Sequence, residues 1–153
     1  MKKLNIFNKI NFLLVILSIL MWTSCKTERI EPVTESTKDI TGTWKIISAT
    51  RNGTNLLPLV DTTSINFNNF NLVFTGSNYS LTSSLPFIVS QNGTYALDNP
   101  QYPFQITFKP TGSTTPTSTA FTYPIVNGVR VLTIVFSPGC AQNVYSYSFE
   151  KVK

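Results

Sequence analysis

The feature that most constrains the fold is a series of short runs, from residue 40 to 153, in which apolar and polar residues alternate. Phe104–Phe108 and Tyr145–Phe149 are the clearest runs, and turn sequences such as Asn52-Gly53 and Asn127-Gly128 separate runs of this kind. Alternation with a period of two places one set of side chains on one face of a strand. Asn-Gly is a strong hairpin signal. The sequence therefore predicts an all-β domain of about eight to nine antiparallel strands connected as a meander.

About eight strands can close into an up-and-down barrel, which removes exposed edges, and an open β-sandwich would give the same alternation. Charged residues are only 12% of the chain and aromatic residues are also 12%, a composition that supports an all-β class. An eight-stranded barrel is just wide enough to be filled by side chains or to hold one small ligand, and the large residues expected inside favour a filled interior. The alternating residues expected inside are Trp44, Phe70, Leu72, Phe74, Tyr79, Leu81, Tyr95, Phe104, Ile106, Phe108, Phe121, Tyr123, Leu132, Ile134, Phe136, Tyr145, Tyr147 and Phe149.

The first 25 residues have the three parts of an export leader. Lys2, Lys3 and Lys9 are basic, the stretch from Ile10 to Trp22 is mostly apolar, and small residues precede Cys25. An apolar run of about 13 residues is too short to cross roughly 30 Å of hydrocarbon as a helix, but it suits a signal peptide. Two alternatives stay open at this point, an ordinary signal peptide with an incidental Cys and an uncleaved membrane anchor.

Thr23-Ser24-Cys25 resembles a lipobox, in which the Cys is acylated and becomes the mature N-terminus. Trp22 departs from the usual Leu, a change that the relaxed lipoboxes of Bacteroidota tolerate. Lys26 follows the Cys, which favours the outer membrane, and Glu28 and Glu31 resemble surface-export signals of Bacteroidota. The resemblance implies a lipid-anchored outer-membrane protein, on the periplasmic face or at the cell surface.

The predicted organisation has three parts. Residues 1–24 form the lipoprotein signal peptide, residues 25–39 form the acylated Cys and a flexible polar tether, and residues 40–153 form the barrel. Without the leader, nine basic residues stand against seven acidic ones, a net charge of +2. The basic residues are scattered, so we expect no nucleic-acid partner.

Gly42-Thr43-Trp44 resembles the Gly-x-Trp start of the calycins, the lipocalins and fatty-acid-binding proteins, and Phe149–Val152 resembles the last strand of the latter. Residues 39–153 are similar to small lipocalin-like lipoproteins of Bacteroidota, a group largely of unknown function. The resemblance implies a barrel in which Gly42 and Trp44 are structural and the Trp closes one end.

The same comparison shows a departure at the ligand site. Fatty-acid-binding proteins hold the ligand carboxylate with an Arg-x-Tyr pair, and here Tyr147 and Phe149 occupy those positions. The cationic anchor is therefore missing. Arg130 would replace it only by pointing inward, where an unpaired Arg is costly.

Catalytic chemistry is hard to find in the sequence. The chain has no His, which excludes Ser-His-Asp and Cys-His catalysis and the usual zinc sites. Cys140 is expected to be a small, partly buried thiol in a turn, and Asp61, Asp98 and Glu150 fall at turns or chain ends. We expect no enzyme, no metal and no cofactor.

The functional hypothesis is a non-enzymatic outer-membrane lipoprotein that binds a small apolar or amphipathic ligand in a lipocalin-like barrel. Its membrane partner is the bilayer, through acyl chains on Cys25. The alternatives are a structural or interaction module accessory to a surface complex, or a surface glycan binder. The residues expected to line the ligand site are Tyr79, Tyr95, Tyr123, Tyr145, Tyr147 and Phe149.

Overall fold

A computed structural model of the protein describes residues 33–58, 61–62 and 65–152. Residues Glu35–Lys153 form one compact unit. The predicted leader, Cys25 and the first part of the predicted tether lie outside the described residues. The strands are β1 (Gly42–Arg51), β2 (Thr54–Asn55), β3 (Asp61–Thr62), β4 (Ile65–Asn66), β5 (Asn71–Thr75), β6 (Asn78–Leu81), β7 (Gly93–Leu97), β8 (Gln105–Pro110), β9 (Thr117–Thr122), β10 (Ile125–Val126), β11 (Val129–Phe136) and β12 (Tyr145–Lys151).

Eight of these strands close into an antiparallel barrel. The order β1-β5-β6-β7-β8-β9-β11-β12 follows the chain, β9 pairs with β11, and β12 returns to β1. β2 and β10 extend β1 and β11, and β3 and β4 form a separate ladder. The predicted all-β meander barrel is confirmed. The alternative of an open sandwich is wrong, because the β12–β1 and β9–β11 pairings leave no open edge.

Two of the three Asn-Gly pairs, Asn52-Gly53 and Asn127-Gly128, make the hairpin turns that the sequence predicts. Asn52 and Asn127 have φ of 50°, and the glycines that follow them have φ of 82° and 79°. Two successive positive φ angles match the right-handed twist of the flanking strands. These turns connect β1 to β2 and β10 to β11.

The interior is formed by the alternating apolar residues. Of the residues predicted inside, Leu81, Tyr95, Tyr123 and Tyr145 are half-buried. Those that are buried are Trp44, Phe70, Leu72, Phe74, Tyr79, Ile106, Phe108, Phe121, Leu132, Ile134, Phe136, Tyr147 and Phe149.

Phe104 is a correction, because it is 72% exposed. The carboxylate of Asp98 accepts hydrogen bonds from the backbone N–H groups of Phe104 and Gln105, each at 3.0 Å. These bonds hold Phe104 in the loop before β8, so its side chain lies outside the alternation of that strand. Seven buried residues fell outside the predicted set, namely Ile40, Ala49, Phe67, Leu85, Phe87, Val89 and Val131.

One end of the barrel, which we call the N-terminal end, contains the start of β1, the end of β12 and the hairpin of β10 and β11. Trp44 is fully buried there, and its Nε1–H donates to the Ile40 carbonyl at 2.8 Å. Tyr123 packs edge-on against Trp44 with ring centroids 5.8 Å apart. Ile40, Trp44 and Tyr123 therefore close this end.

Gly42 is required by its backbone conformation. Its φ of +131° is one that L side chains rarely adopt, whereas the Lys151 side chain that a Cβ there would meet is flexible and can move. The preceding chain is attached to the barrel, because Lys38 N–H donates to the Pro100 carbonyl at 2.6 Å and the Tyr123 hydroxyl donates to the Asp39 carbonyl at 3.2 Å. Lys38 and Asp39, which the prediction placed in the tether, thus contact the barrel.

The opposite end, the far end, is covered by the chain before β5. The side chain of Asn66 caps a single 3-10 turn at Phe67–Asn69 by accepting from the Asn68 and Asn69 N–H groups. The turn directs Phe67 inward, where it lies edge-on to Tyr147 at 5.8 Å. Ala49 faces Tyr147 in the β1–β12 ladder, just past a bulge between Ile46 and Ser48. The small Ala leaves room for the tyrosine ring.

Trp44→Ala is expected to lower the free energy of unfolding by about 3–5 kcal/mol, because it leaves a cavity at the N-terminal end and removes the bond to Ile40. Chemical denaturation measures the loss. Tyr102→Ala, at a ring that is 53% exposed, is the control and should change stability by less than about 1 kcal/mol. Equal stability of the two variants would show that Trp44 does not support the barrel.

Candidate functional site

The structure separates the six residues that were predicted to line a ligand site. Tyr79, Tyr147 and Phe149 are buried in the core. Tyr123 lies at the N-terminal end, and Tyr145 stacks on Phe136 at the start of β12, with centroids 5.4 Å apart. Tyr95 packs edge-on against Phe74 at 4.5 Å. Tyr145 and Phe149 also lie beside Tyr147, with ring centroids 6.1 and 6.5 Å away, and Tyr79 packs edge-on against Phe108 at 4.9 Å. Each of the six residues therefore packs against other aromatic rings of the barrel.

A segment between β6 and β7 points three side chains into the barrel, while Ser84, Pro86 and Ser90 between and beside them are exposed. Residues 83–91, which we call the interior segment, belong to no strand, yet Leu85, Phe87 and Val89 are 6–8% exposed. The ring of Phe87 contacts five inward-facing rings, one that precedes β5 and four that belong to β8, β11 and β12. The centroid distances are 5.3–6.4 Å. The rings around Phe87 are those of Phe70, Phe108, Phe136, Tyr147 and Phe149. A ligand in the middle of the barrel would need the volume that Phe87 occupies.

Tyr147 holds the interior segment by a hydrogen bond. Its hydroxyl donates to the Pro86 carbonyl at 2.9 Å. Phe149, two residues further along β12, lies beside the same segment, with its ring centroid 6.4 Å from that of Phe87.

The close return of the chain into β7 depends on Gly93. A Cβ at Gly93 would overlap the Lys109 carbonyl oxygen of β8. The Asn92 side chain accepts from the Leu81 N–H at 2.9 Å, which fastens the end of the interior segment to the end of β6. The sequence signals a turn at Asn92-Gly93, and the structure shows that the glycine also permits a close approach of two strands.

Two buried tyrosines have hydroxyls in different situations. Tyr79 is 2% exposed, and its hydroxyl has no hydrogen-bond partner in the described structure. Burial raises the pKa of Tyr79 to about 12. Burial also raises the pKa of Tyr147, above its ordinary value. Both phenols are therefore neutral at physiological pH.

The N-terminal end carries a pocket of about 380 Å³, lined by Gly128, Val129, Arg130, Lys151 and Val152. The Arg130 guanidinium lies 5.1 Å from the centroid of the Tyr123 ring and donates to the Tyr123 carbonyl at 3.0 Å. Arg130 is exposed at the mouth of the barrel. It therefore does not act as a buried carboxylate clamp.

A second pocket, of about 440 Å³, lies where β7 begins and β8 ends. It is lined by Thr94, Lys109 and the residues of the turn that follows β8. Lys109 is its one charged lining residue. The arrangement is an open hollow beside a turn and brings no reactive groups together.

Metal-binding groups are not assembled in the part of the chain that the structure describes. No three His, Cys, Asp or Glu side chains there are placed to hold a metal ion.

Cys140 is exposed, so the expectation that it is partly buried is wrong. It lies in a turn whose Cys140 N–H bonds the Pro138 carbonyl, and this turn projects the residue from the barrel. The pKa of Asp98 is lowered by the backbone N–H groups that it accepts from, Gln105 first.

These features define a closed eight-stranded antiparallel barrel, compatible with a lipocalin-like fold, with a filled centre. The chain belongs to the DUF5004 family, a domain of unknown function, whose model matches residues 23–150. No curated protein and no solved structure matches the chain. In the described residues, no helix has the length and apolarity needed to cross a membrane.

Sequence reasoning missed two parts of this arrangement. Leu85–Val89 has the same alternation as a strand, so its position inside the barrel has no separate sequence signal. Arg130 and Lys151 meet only through the register of β11 and β12, in which Val131 pairs with Glu150. Once the register is known, the alternation of apolar and polar residues in β11 and β12 is enough to place Arg130 opposite Lys151.

Tyr79→Phe and Tyr147→Phe are expected to act in opposite directions. The first removes a buried hydroxyl without a partner and should raise the free energy of unfolding by about 1 kcal/mol, whereas the second breaks the bond to Pro86 and should lower it by about 1 kcal/mol. Urea denaturation at pH 7 measures both. A loss of stability in Tyr79→Phe would mean that its hydroxyl has a partner.

The pH dependence gives an independent check of Tyr79. The pKa of Tyr79 is raised from about 10 in the unfolded chain to about 12 in the folded protein. The free energy of unfolding that depends on keeping this phenol protonated is therefore fully present below pH 10. It is lost as the pH rises towards 12. Denaturation at several pH values should show a shallower decline above pH 10 in Tyr79→Phe. Identical slopes would contradict the burial of this phenol.

Phe87→Ala should open a cavity at the centre of the barrel and lower the free energy of unfolding by about 3–5 kcal/mol. The variant should bind a small apolar molecule such as benzene, which occupies engineered apolar cavities, whereas the unaltered protein should not. NMR shifts of the methyl groups of Ile134 and Leu132 report the binding. Ile88→Ala, at a half-buried neighbour in the same segment, is the control.

Proposed function

We propose that the protein is an outer-membrane lipoprotein of Bacteroidota that carries a non-enzymatic, lipocalin-like barrel. The leader and the lipobox-like Thr23-Ser24-Cys25 support the anchor. The chain first bonds to the closed barrel at Lys38. This supports a folded module that is joined to the anchor by a short stretch of chain. Two or more acyl chains on Cys25 would hold the module stably at the membrane.

We further propose that the barrel acts through its outer surface, as an interaction module of the cell envelope. The observation that carries this proposal is Phe87, which occupies the centre of the barrel among five inward-facing rings. Close-packed interiors of this kind have few voids larger than a water molecule. We therefore expect partners to bind at the ends or on the outer wall of the barrel.

A carrier of a small apolar ligand is the second candidate, and one observation favours it. The interior segment takes no part in the barrel's ladders, and the Tyr147 hydroxyl is the side-chain group that bonds it at Pro86. A ligand that displaced Phe87 would enter an apolar space of the kind that calycins use. Stoichiometric binding of an apolar dye by the unaltered protein would favour the carrier over the interaction module.

Cys25→Ser tests the anchor. The variant, expressed in its host, should leave the outer-membrane fraction, because the acyl chains provide the attachment. Fractionation with immunoblotting locates the protein, and mass spectrometry of the unaltered protein should show an acylated N-terminal Cys25. Cys140→Ser is the matched control and should stay in the membrane fraction. Membrane attachment of Cys25→Ser would contradict an acyl anchor.

A further inference from the structure

Exposed apolar side chains concentrate at the N-terminal end of the barrel. From Glu35 to Val152, the described residues include nine large apolar side chains that are at least 36% exposed, and six of them lie at this end. The other three are Ile47, Leu57 and Val144. The six, which we call the apolar rim, are Tyr102, Phe104, Ile125, Val126, Val129 and Val152. Such a concentration of apolar surface at one end marks an interaction site.

Two cations lie together beside the apolar rim. In the β11–β12 register Val131 pairs with Glu150, so the next pair outward is Arg130 with Lys151, and both line the same pocket of about 380 Å³. Like charges directly opposite each other on neighbouring strands are destabilising. An anion in the pocket would remove this repulsion.

The nearby carboxylates have closer partners than the two cations. Lys38 first, and Arg130 to a smaller extent, lower the pKa of Glu35, and hydrogen bonds from Thr41 first, and Lys151 to a smaller extent, lower the pKa of Asp39. Glu35 forms an ion pair with Lys38, and the Asp39 carboxylate accepts from the Thr41 N–H at 2.8 Å. In the part of the chain that the structure describes, neither Arg130 nor Lys151 forms an ion pair. The pocket therefore presents two cations, framed by Val129 and Val152, to an external group.

The chain itself brings this end to the membrane. Lys38 and Asp39 are bonded to the N-terminal end, and the chain from Cys25 to Lys38 spans at most about 45 Å when extended. β1 has ten residues, roughly 33 Å along the strand, and a strand tilt of about 40° places the far end about 25 Å further along the barrel axis. A lipid anchor at Cys25 therefore keeps the apolar rim within reach of the bilayer.

We propose that the N-terminal end is a membrane-docking face, in which the apolar rim enters the lipid interface and Arg130 and Lys151 bind the phosphate of an anionic lipid. Aromatic rings with a polar tip, such as Tyr102, are suited to the headgroup level. Basic residues near an anionic leaflet add electrostatic attraction. This proposal rests on the proposed anchor, and it fixes the orientation of the anchored barrel.

Fluorescence quenching in vesicles tests the orientation. The acylated full-length protein with Cys140→Ser is labelled at Val126→Cys with an environment-sensitive dye, and it is placed on phosphatidylglycerol vesicles that contain lipids brominated in their chains. The dye at position 126 should be quenched strongly, whereas the same dye at Thr114→Cys, in the turn at the far end, should not. The label at position 126 should be quenched less on phosphatidylcholine vesicles.

Charge variants test the pocket. Arg130→Gln with Lys151→Gln should reduce the docked fraction on phosphatidylglycerol by about tenfold or more. The matched control, Arg51→Gln with Lys109→Gln, removes the same two charge types at the far end and should leave quenching unchanged. Circular dichroism checks that each variant is folded, and all substituted positions are exposed.

The outcomes separate the two proposals. Protein that floats with the vesicles but shows equal quenching at positions 126 and 114 would overturn the docking face and leave the anchor intact. Protein that does not float with either vesicle would overturn both. Equal loss of quenching in the two charge variants would overturn the role of Arg130 and Lys151.

Discussion

The packing of the Phe87 ring among inward-facing aromatic rings is the interaction on which the rest of the structure depends. Five inward-facing rings surround it, and they precede β5 or belong to β8, β11 and β12. An eight-stranded barrel has an interior just wide enough to be filled by side chains or to hold one small ligand. Here the chain fills that interior with its own segment. The bond from the Tyr147 hydroxyl to Pro86 fixes the segment where a carrier would hold its ligand.

A filled centre moves the candidate functional surface to the ends of the barrel. At the N-terminal end, the bonds of Trp44 to Ile40 and of Tyr123 to Asp39 fasten the incoming chain. The same end contains the apolar rim and the pair of Arg130 and Lys151. The residues that close the barrel and those proposed to meet the membrane are therefore neighbours in the fold. This proximity would let the anchor and the docking face act together.

Much of the barrel was predictable because its determinants are local. Alternation in Phe70–Phe74 and Tyr145–Phe149 sets which side chains face inward, and Asn127-Gly128 fixes a hairpin by backbone conformation alone. The prediction for Phe104 was wrong because its backbone N–H donates to the Asp98 carboxylate, six residues earlier, and this bond holds it in a loop. Alternation carries no information about such a bond.

The candidate site was less predictable than the fold. The residues Leu85–Val89 alternate as a strand does, and only the closed barrel leaves them no ladder to join, so that they pack inside. Similarly, Arg130 and Lys151 are separated by twenty residues of sequence and become neighbours through one strand register. Tyr147 and Phe149 were placed correctly as inward-facing residues. What they contact depends on the interior segment.

Thiol labelling of the interior segment tests most directly the claim that the chain fills its own barrel. Val89→Cys, in a background with Cys25→Ser and Cys140→Ser, places a thiol at a position that is 6% exposed, and Ser90→Cys places one at its exposed neighbour. The account predicts that the thiol at position 90 reacts at the rate of an unfolded chain. The thiol at position 89 should be slowed by orders of magnitude, because reaction requires opening of the barrel. Equally fast labelling at both positions would show that the segment lies outside and that the centre is open to a ligand.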